Sequence, residues 1–346
     1  MDRSHAIAAL RALSIGAAGA VAASLLHLPA PLLMGPALAT IAAVLAGMQL
    51  NLPSVARDAA LVIIGLTIGL TATQEAVASV VRWPVSFALL TLSIVVTMLA
   101  GRTVLRLGWG YDRTTAATAS MPGHLSYAVG LSMVTNCNVP AVSLIHSVRV
   151  TLLLFLVPLT VTFSGLPQAA DEPTSVAAIA WPVLALGVAS AVAAGLGLKR
   201  INVAAPLLIG SMLSGIAIRL SGLAVGEMPA LLQWPAFVTL GTLIGTRFSG
   251  VRLAEAGRHV LAGVAFTTTA LASGLGMAAI ASILLGLPLA TMLVAFVPGG
   301  LEVSAAMSVA LGLDPTFVAA HHVFRLLVLP FLAAVLIPNT NRDSVG

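Results

Sequence analysis

One cysteine, Cys137, stands among 346 residues. It excludes an internal disulfide and any metal cage built from cysteines, and a small apolar filler is its plainest role. Charge is nearly as scarce: Asp, Glu, Lys and Arg make up 8% of the chain, against roughly 25% in soluble proteins. Polar stretches long enough to fold by themselves in water are missing, because the longest gap runs only from Ser164 to Ser175. In their place, 59% of the residues are hydrophobic, above the ~45–50% of soluble domains. Apolar runs of membrane-spanning length recur from end to end. The expected fold is therefore an all-α polytopic membrane protein, with the lipid bilayer as its principal partner.

Other classes drop out for chemical reasons. The 16 basic residues are spread over loops and do not cluster, so they read as cytoplasmic anchors and not as a nucleic-acid footprint. No segment offers a helix or ribbon in water to a DNA groove, and no direct nucleic-acid partner is expected. Seven histidines and one cysteine show no metal-ligand spacing. No metal, cofactor or enzymatic activity is expected from them. Arg3 and Arg11 precede an apolar run as in a signal peptide, but another apolar segment follows at once, so a retained first helix is expected.

Twelve apolar elements can be read, at about 6–27, 30–49, 59–78, 84–106, 114–134, 139–162, 175–197, 204–221, 231–247, 258–286, 288–311 and 315–337. Landmarks recur among them at one offset. Ala30-Pro-Leu-Leu-Met-Gly35 matches Ala205-Pro-Leu-Leu-Ile-Gly210, and Gly65-Leu-Thr-Ile-Gly69 matches Gly241-Thr-Leu-Ile-Gly245. Ser120-Met-Pro122-Gly123-His124-Leu-Ser126, followed by His146-Ser-Val-Arg149, matches Phe296-Val-Pro298-Gly299-Gly300-Leu-Glu302, followed by His321-His322-Val-Phe-Arg325. This reads as a tandem duplication: a first membrane repeat over 1–165, a linker over 166–174 and a second repeat over 175–340.

Loop charge predicts orientation. If the Pro-Gly element of each repeat dips in and returns without crossing, the loop positives divide twelve inside to two outside, Arg82 and Arg219. Each repeat then has five spanning helices plus one broken or re-entrant helix. An odd number of crossings inverts the second repeat relative to the first, and both termini are cytoplasmic. Trp83-Pro84, Trp181-Pro182 and Trp234-Pro235 all fall near the outer interface, where tryptophan anchors helices.

The Pro-Gly blocks carry the candidate chemistry. Proline cannot donate the helical hydrogen bond and the following glycine lets the chain unwind. An unwound turn at membrane depth must be buried in protein or line a cavity. The N–H groups that open the next half-helix carry partial positive charge and can face an anion. His146 and Arg149 share a helix face, as do His322 and Arg325, and His321 also neighbours Arg325. A buried arginine must be paired or wet, and a histidine can move a proton near neutrality. Two arginines against one well-placed carboxylate, Glu302, make a small anionic solute the expected ligand. The candidate solute-binding residues are Pro122, Gly123, His124, Ser126, His146, Arg149, Pro298, Gly299, Gly300, Glu302, His321, His322 and Arg325. The spacings Gly65/Gly69 and Gly241/Gly245 read as close helix packing.

The duplicated Pro-Gly-[Gly/His]-Leu block followed by His-x-x-Arg resembles the AbrB-type membrane proteins, the "AbrB duplication" family, also labelled ammonia monooxygenase. The likeness covers nearly the whole chain. Its most specific part is Pro298-Gly-Gly-Leu-Glu302 with His322-x-x-Arg325; the first-half block departs at His124 and Ser126. The resemblance implies a bacterial inner-membrane protein associated by name with regulation of gene expression. Two functions are carried forward: a secondary transporter or exporter of a small anionic or polar metabolite, and a membrane regulator or sensor acting indirectly without flux. The oligomeric state stays open, a homo-oligomer included.

Overall fold

The structure is a computed structural model. It describes residues 3–74, 83–123, 125–135, 137–163, 177–249 and 253–337, with side chains described except at 3–6, 126 and 253–256. His124 and the side chain of Ser126 lie outside the described residues.

Fourteen helices are present among the described residues. They are α1 (Arg3–Leu25), α2 (Pro31–Leu45), α3 (Ser54–Leu70), α4 (Trp83–Trp109), α5 (Arg113–Ala119), α6 (Leu125–Val134) and α7 (Val139–Phe163). The remainder are α8 (Trp181–Arg200), α9 (Pro206–Leu220), α10 (Ala230–Thr246), α11 (Leu253–Leu285), α12 (Leu289–Phe296), α13 (Leu301–Ala310) and α14 (Pro315–Leu336). The twelve apolar elements are all here, and the two that carry Pro-Gly are each split in two. Among the described residues, six helices are long and apolar enough to cross a membrane: α1, α4, α7, α8, α11 and α14. That is three in each half of the chain, where five spans per repeat are expected. The other expected spans, α2, α3, α9 and α10, are helices of 15 to 17 residues. At 1.5 Å per residue each is about 22–26 Å long, short of the ~30 Å hydrocarbon core.

The helices form two compact units, and each unit draws on both halves of the chain. The first holds α1, α2, α3, α8, α9, α10 and the end of α13. The second holds α4 to α7, α11, α12, the start of α13 and most of α14.

Glycine sets the packing in the first unit. A Cβ on Gly65 would lie 2.5 Å from the Leu208 carbonyl oxygen, and one on Gly69 would lie 2.2 Å from that of Met212. This seats α3 on α9. The matching contacts seat α10 on α2, with Gly241 against the Leu33 carbonyl and Gly245 against Thr40. In both pairs the contacts advance together along the two helices, so the partners run parallel. The four glycines are thus packing positions, as their spacing predicts. A tight turn precedes both α2 and α9. Ala30 and Ala205 each sit at φ 49° in the left-handed region, directly before the proline that opens the helix. A non-glycine residue there costs about 1–2 kcal/mol, and the same strained turn occurs at both places.

In the second unit α4 packs on α11. Thr97 Oγ1 and Ser273 Oγ, 176 residues apart, hydrogen-bond to each other at 2.8 Å. Gly101 leaves room for the ring of Phe266, which would lie 2.5 Å from a Cβ there. A buried core of Leu105, Ala119, Val142, Ile145, Phe266 and Ala270 ties α4, α5, α7 and α11 together. One expectation is corrected. Trp83 is 7% exposed, and its ring meets Phe87 and Phe317 edge-on, so it is a core residue and not an interfacial anchor. Trp181 and Trp234, at 61% and 58%, keep exposed rings.

Candidate functional site

Both breaks lie in the second unit. Asp112 caps α5, accepting from the N–H groups of Thr114 and Thr115 at 2.9 and 2.8 Å. Seven residues later the helix stops at Ser120, and Met121-Pro122-Gly123 runs on without helical structure before α6. In the second repeat α12 stops at Phe296. Val297 is extended at φ −65°, ψ 134°, the region a following proline imposes. The two breaks turn alike: Gly123 N–H donates to the Met121 carbonyl at 3.0 Å, and Gly299 N–H to that of Val297 at 2.8 Å.

A helix that stops inside a protein leaves carbonyl groups without intrahelical partners. The arginines supply them. Arg325 donates from Nη2 to the carbonyls of Ala295 and Phe296, both at 2.9 Å, and from Nη1 to that of Val297 at 3.2 Å. Arg149 donates from Nη1 to Met121 at 2.7 Å and from Nη2 to Gly123 at 2.8 Å. The histidines follow the same plan. His322 Nε2–H donates to the Val294 carbonyl at 3.0 Å and His146 Nε2–H to that of Thr118 at 3.4 Å. His322 Nδ1 also accepts from Arg325 Nη1 at 3.3 Å. Four of these bonds in the second half of the chain, from His322 and Arg325, and three in the first, from His146 and Arg149, reach back to one break each, and each histidine partner lies 28 residues upstream.

This arrangement accounts for the arginines energetically. Centring a guanidinium in a bilayer costs at least ~2.5–3.5 kcal/mol. Charge-assisted bonds to several carbonyls, at the partly negative C-terminal end of a helix, offset that cost. His146, Arg149 and His321 are 0% exposed, and His322 and Arg325 are 2% exposed. Pro122, Gly123 and Pro298 are buried too, whereas Gly299, Gly300 and Glu302 keep part of their surface. Glu302 lies in the first turn of α13, where the helix dipole favours a carboxylate, and its charge reaches His322. A Cβ on Gly299 would lie 2.3 Å from Ser304 Oγ, so a larger residue there would displace that hydroxyl.

His321 is placed apart from this set. Its Nδ1–H donates to the Phe317 carbonyl at 2.8 Å, and its Nε2 lies 2.8 Å from Ser86 Oγ. Sequence reasoning missed Ser86, Phe87, Phe317 and Ser304. An ordinary serine or phenylalanine in an apolar helix carries no signal, and Ser86 lies 235 residues from its partner.

Residues 32–339 match the family model described as "Transition state regulatory protein AbrB". The chain is similar to a protein of Escherichia coli (strain K12) named "Putative regulator AbrB", at 26% identity over 306 residues, 87% of each chain. It is also similar to "Uncharacterized protein YhjN" of Bacillus subtilis (strain 168), at 29% identity over 262 residues, 70% of this chain and 67% of the relative. No solved structure matches.

Proposed function

The chain belongs to the AbrB family, and from that premise we propose that it is a secondary transporter or exporter of a small anionic or polar metabolite in the bacterial inner membrane. The observation that carries the reading is the pair of breaks within one helical unit, each held open by a buried arginine from a helix further on. Interrupted helices at corresponding places in two halves of a chain are the mark of a transport site. The guanidiniums are directed at carbonyls, so Gly299, Gly300, Glu302 and the N–H groups opening α13 are the solute's first contacts, and Arg149, Arg325, His146 and His322 are positioning residues. Two inverted repeats remain part of this reading. The parallel pairing of α3 with α9 and of α2 with α10 supports it: α9 is the counterpart of α2 and α10 that of α3, so if consecutive helices run in opposite directions, parallel pairs form only when the second half is inverted.

Purified protein in liposomes, tested against a metabolite panel, is expected to show solute uptake. Glu302→Gln is expected to reduce it to the level of empty vesicles while the unfolding temperature stays near wild type. Full flux in that variant would remove Glu302 from the site. Orientation has its own test, with Lys199→Cys in a Cys137→Ser background. Labelling is expected from the cytoplasmic face, and labelling from the outer face alone would overturn the inversion.

A second reading, a membrane regulator without flux, draws on the family's printed description and on one contact. Arg258 donates to the Trp109 carbonyl and lies 5.5 Å above the Tyr111 ring. The Tyr111 hydroxyl in turn pairs with His259 Nδ1. These bonds tie the end of α4 and the turn after it to the start of α11, in one surface for a partner protein to read. Absence of flux for the whole panel, with a partner captured only when Tyr111 and Arg258 are intact, would favour this reading.

A further inference from the structure

We propose that His321 is a proton-binding site, built by Ser86 and four aromatic rings so that either charge state of the imidazole is accommodated without movement of the surrounding heavy atoms. A carbonyl can only accept, so the bond to Phe317 fixes a proton on Nδ1 in every state. The proton in question is the one on Nε2. Ser86 Oγ lies 2.8 Å from Nε2 and 2.8 Å from the Trp83 carbonyl oxygen. Its single hydroxyl proton can serve one of them at a time. With neutral His321 the hydroxyl donates to Nε2. With Nε2 protonated, the imidazolium donates to Ser86 Oγ, and the hydroxyl turns to donate to the Trp83 carbonyl. One rotation of one hydroxyl satisfies both forms.

The rings complete the site. Phe317 and Phe87 lie 3.8 and 4.8 Å from the imidazole centre, and Trp83 and Phe296 lie 6.1 and 6.2 Å away. Aromatic faces attract a cation within about 6 Å. The charged and titratable groups that bear on the ring are Arg325 and His322 on its own helix, with Glu302 acting on His322. The residues of α4 and α12 that touch the ring, Trp83, Ser86, Phe87 and Phe296, are uncharged.

The other half of the chain does not contain the site. At the offset of 176 residues, His321 corresponds to Ile145, Ser86 to Ala262, Phe87 to Gly263, Phe317 to Ala141 and Phe296 to Ser120. Every element of the arrangement is absent together, as expected of a function assigned to one repeat and not of a packing device common to both.

Use of this proton in coupling rests on the transport reading, but the site itself does not, so the test reads protonation directly. Protein labelled with ¹⁵N-histidine, in lipid nanodiscs, is followed by solid-state NMR from pH 8 to pH 4. One of the seven histidines is expected to pass from a neutral Nδ1–H form to a form with both nitrogens protonated, and that signal is expected to vanish in His321→Asn. Ser86→Ala is expected to weaken proton binding about fivefold, because a bond to a charged donor is worth about 1 kcal/mol more than one to a neutral group. Ser86→Thr keeps the hydroxyl and is expected to hold the wild-type midpoint. A His321 signal that stays in one state throughout, or one whose midpoint ignores Ser86→Ala or moves in Ser86→Thr, overturns the proposal. Liposomes without flux alongside a titrating His321 would remove the transport reading and leave the proton site standing.

Discussion

Arg325→Ala is expected to lower the stability of the folded protein by about 3–5 kcal/mol, as much as truncating a large buried aromatic side chain. The reason is what stays behind. The carbonyls of Ala295 and Phe296 lose the guanidinium bonded to them, that of Val297 keeps the Gly299 N–H, and His322 Nδ1 loses its donor. Each orphaned buried acceptor costs about 1–3 kcal/mol, partly offset because the charge itself no longer has to be buried. Arg149→Ala removes two such bonds and is expected to cost less, about 2–4 kcal/mol. Lysine is expected to rescue neither, since an ammonium on a flexible stem cannot fork across carbonyls that a planar guanidinium bridges. Thermal unfolding in detergent micelles, followed by circular dichroism, measures all four variants. Wild-type unfolding in Arg325→Ala would show that the break does not need its clamp. The result also bears on any transport assay: flux lost in an arginine variant has a structural explanation, and so Glu302→Gln is the cleaner probe of solute contact.

The second large effect is expected at the glycine interlock of α1 and α2. A Cβ on Gly35 would lie 2.2 Å from the Gly19 carbonyl oxygen and 2.7 Å from the Cβ of Ala23, and one on Gly19 would lie 2.4 Å from the Gly35 carbonyl oxygen. These neighbours are backbone and short side chains that cannot swing aside, so the helices must separate. Gly35→Ala is expected to cost about 3 kcal/mol, the upper end of ordinary overpacking, and Gly35→Val more. Gly210→Ala, with its Cβ 2.4 Å from the Gly195 nitrogen, is expected to behave likewise. Gly197→Ala is the contrast, since a Cβ there meets nothing within 4 Å and alanine is the better helix former by about 0.8–1 kcal/mol. Unfolding temperatures of the four variants separate the two outcomes. Equal temperatures for Gly35→Ala and Gly197→Ala would mean that α1 and α2 do not pack as described.

Both predictions come from positions that the sequence points out and contacts that it does not. Pro122 and Pro298 mark the breaks because proline lacks the N–H and drives its predecessor extended, and both effects are local. Arg149 and Arg325 announce themselves by their cost in an apolar helix. The sequence leaves their partners open, a solute anion or protein carbonyls. The structure joins them to carbonyls 26 to 30 residues upstream, and this changes their role from ligand groups to supports. Trp83 shows the same limit from the other side. A tryptophan before a proline at a helix start reads as an interfacial anchor, and only the rings of Phe87 and Phe317 make it core.

The sequence by itself determined the solvent this chain folds in, the twelve apolar elements, the offset that relates their landmarks and the two points where helices break. Those follow from hydropathy, from proline and from repetition, properties of residues and their near neighbours. Tertiary structure alone decided that helices from both halves of the chain intermix in each compact unit, that arginines hold carbonyls, and that Ser86 meets His321 across 235 residues. The physical reason is range: a backbone preference is settled within a turn of helix, while the partner of a buried polar group depends on which distant segments pack against it.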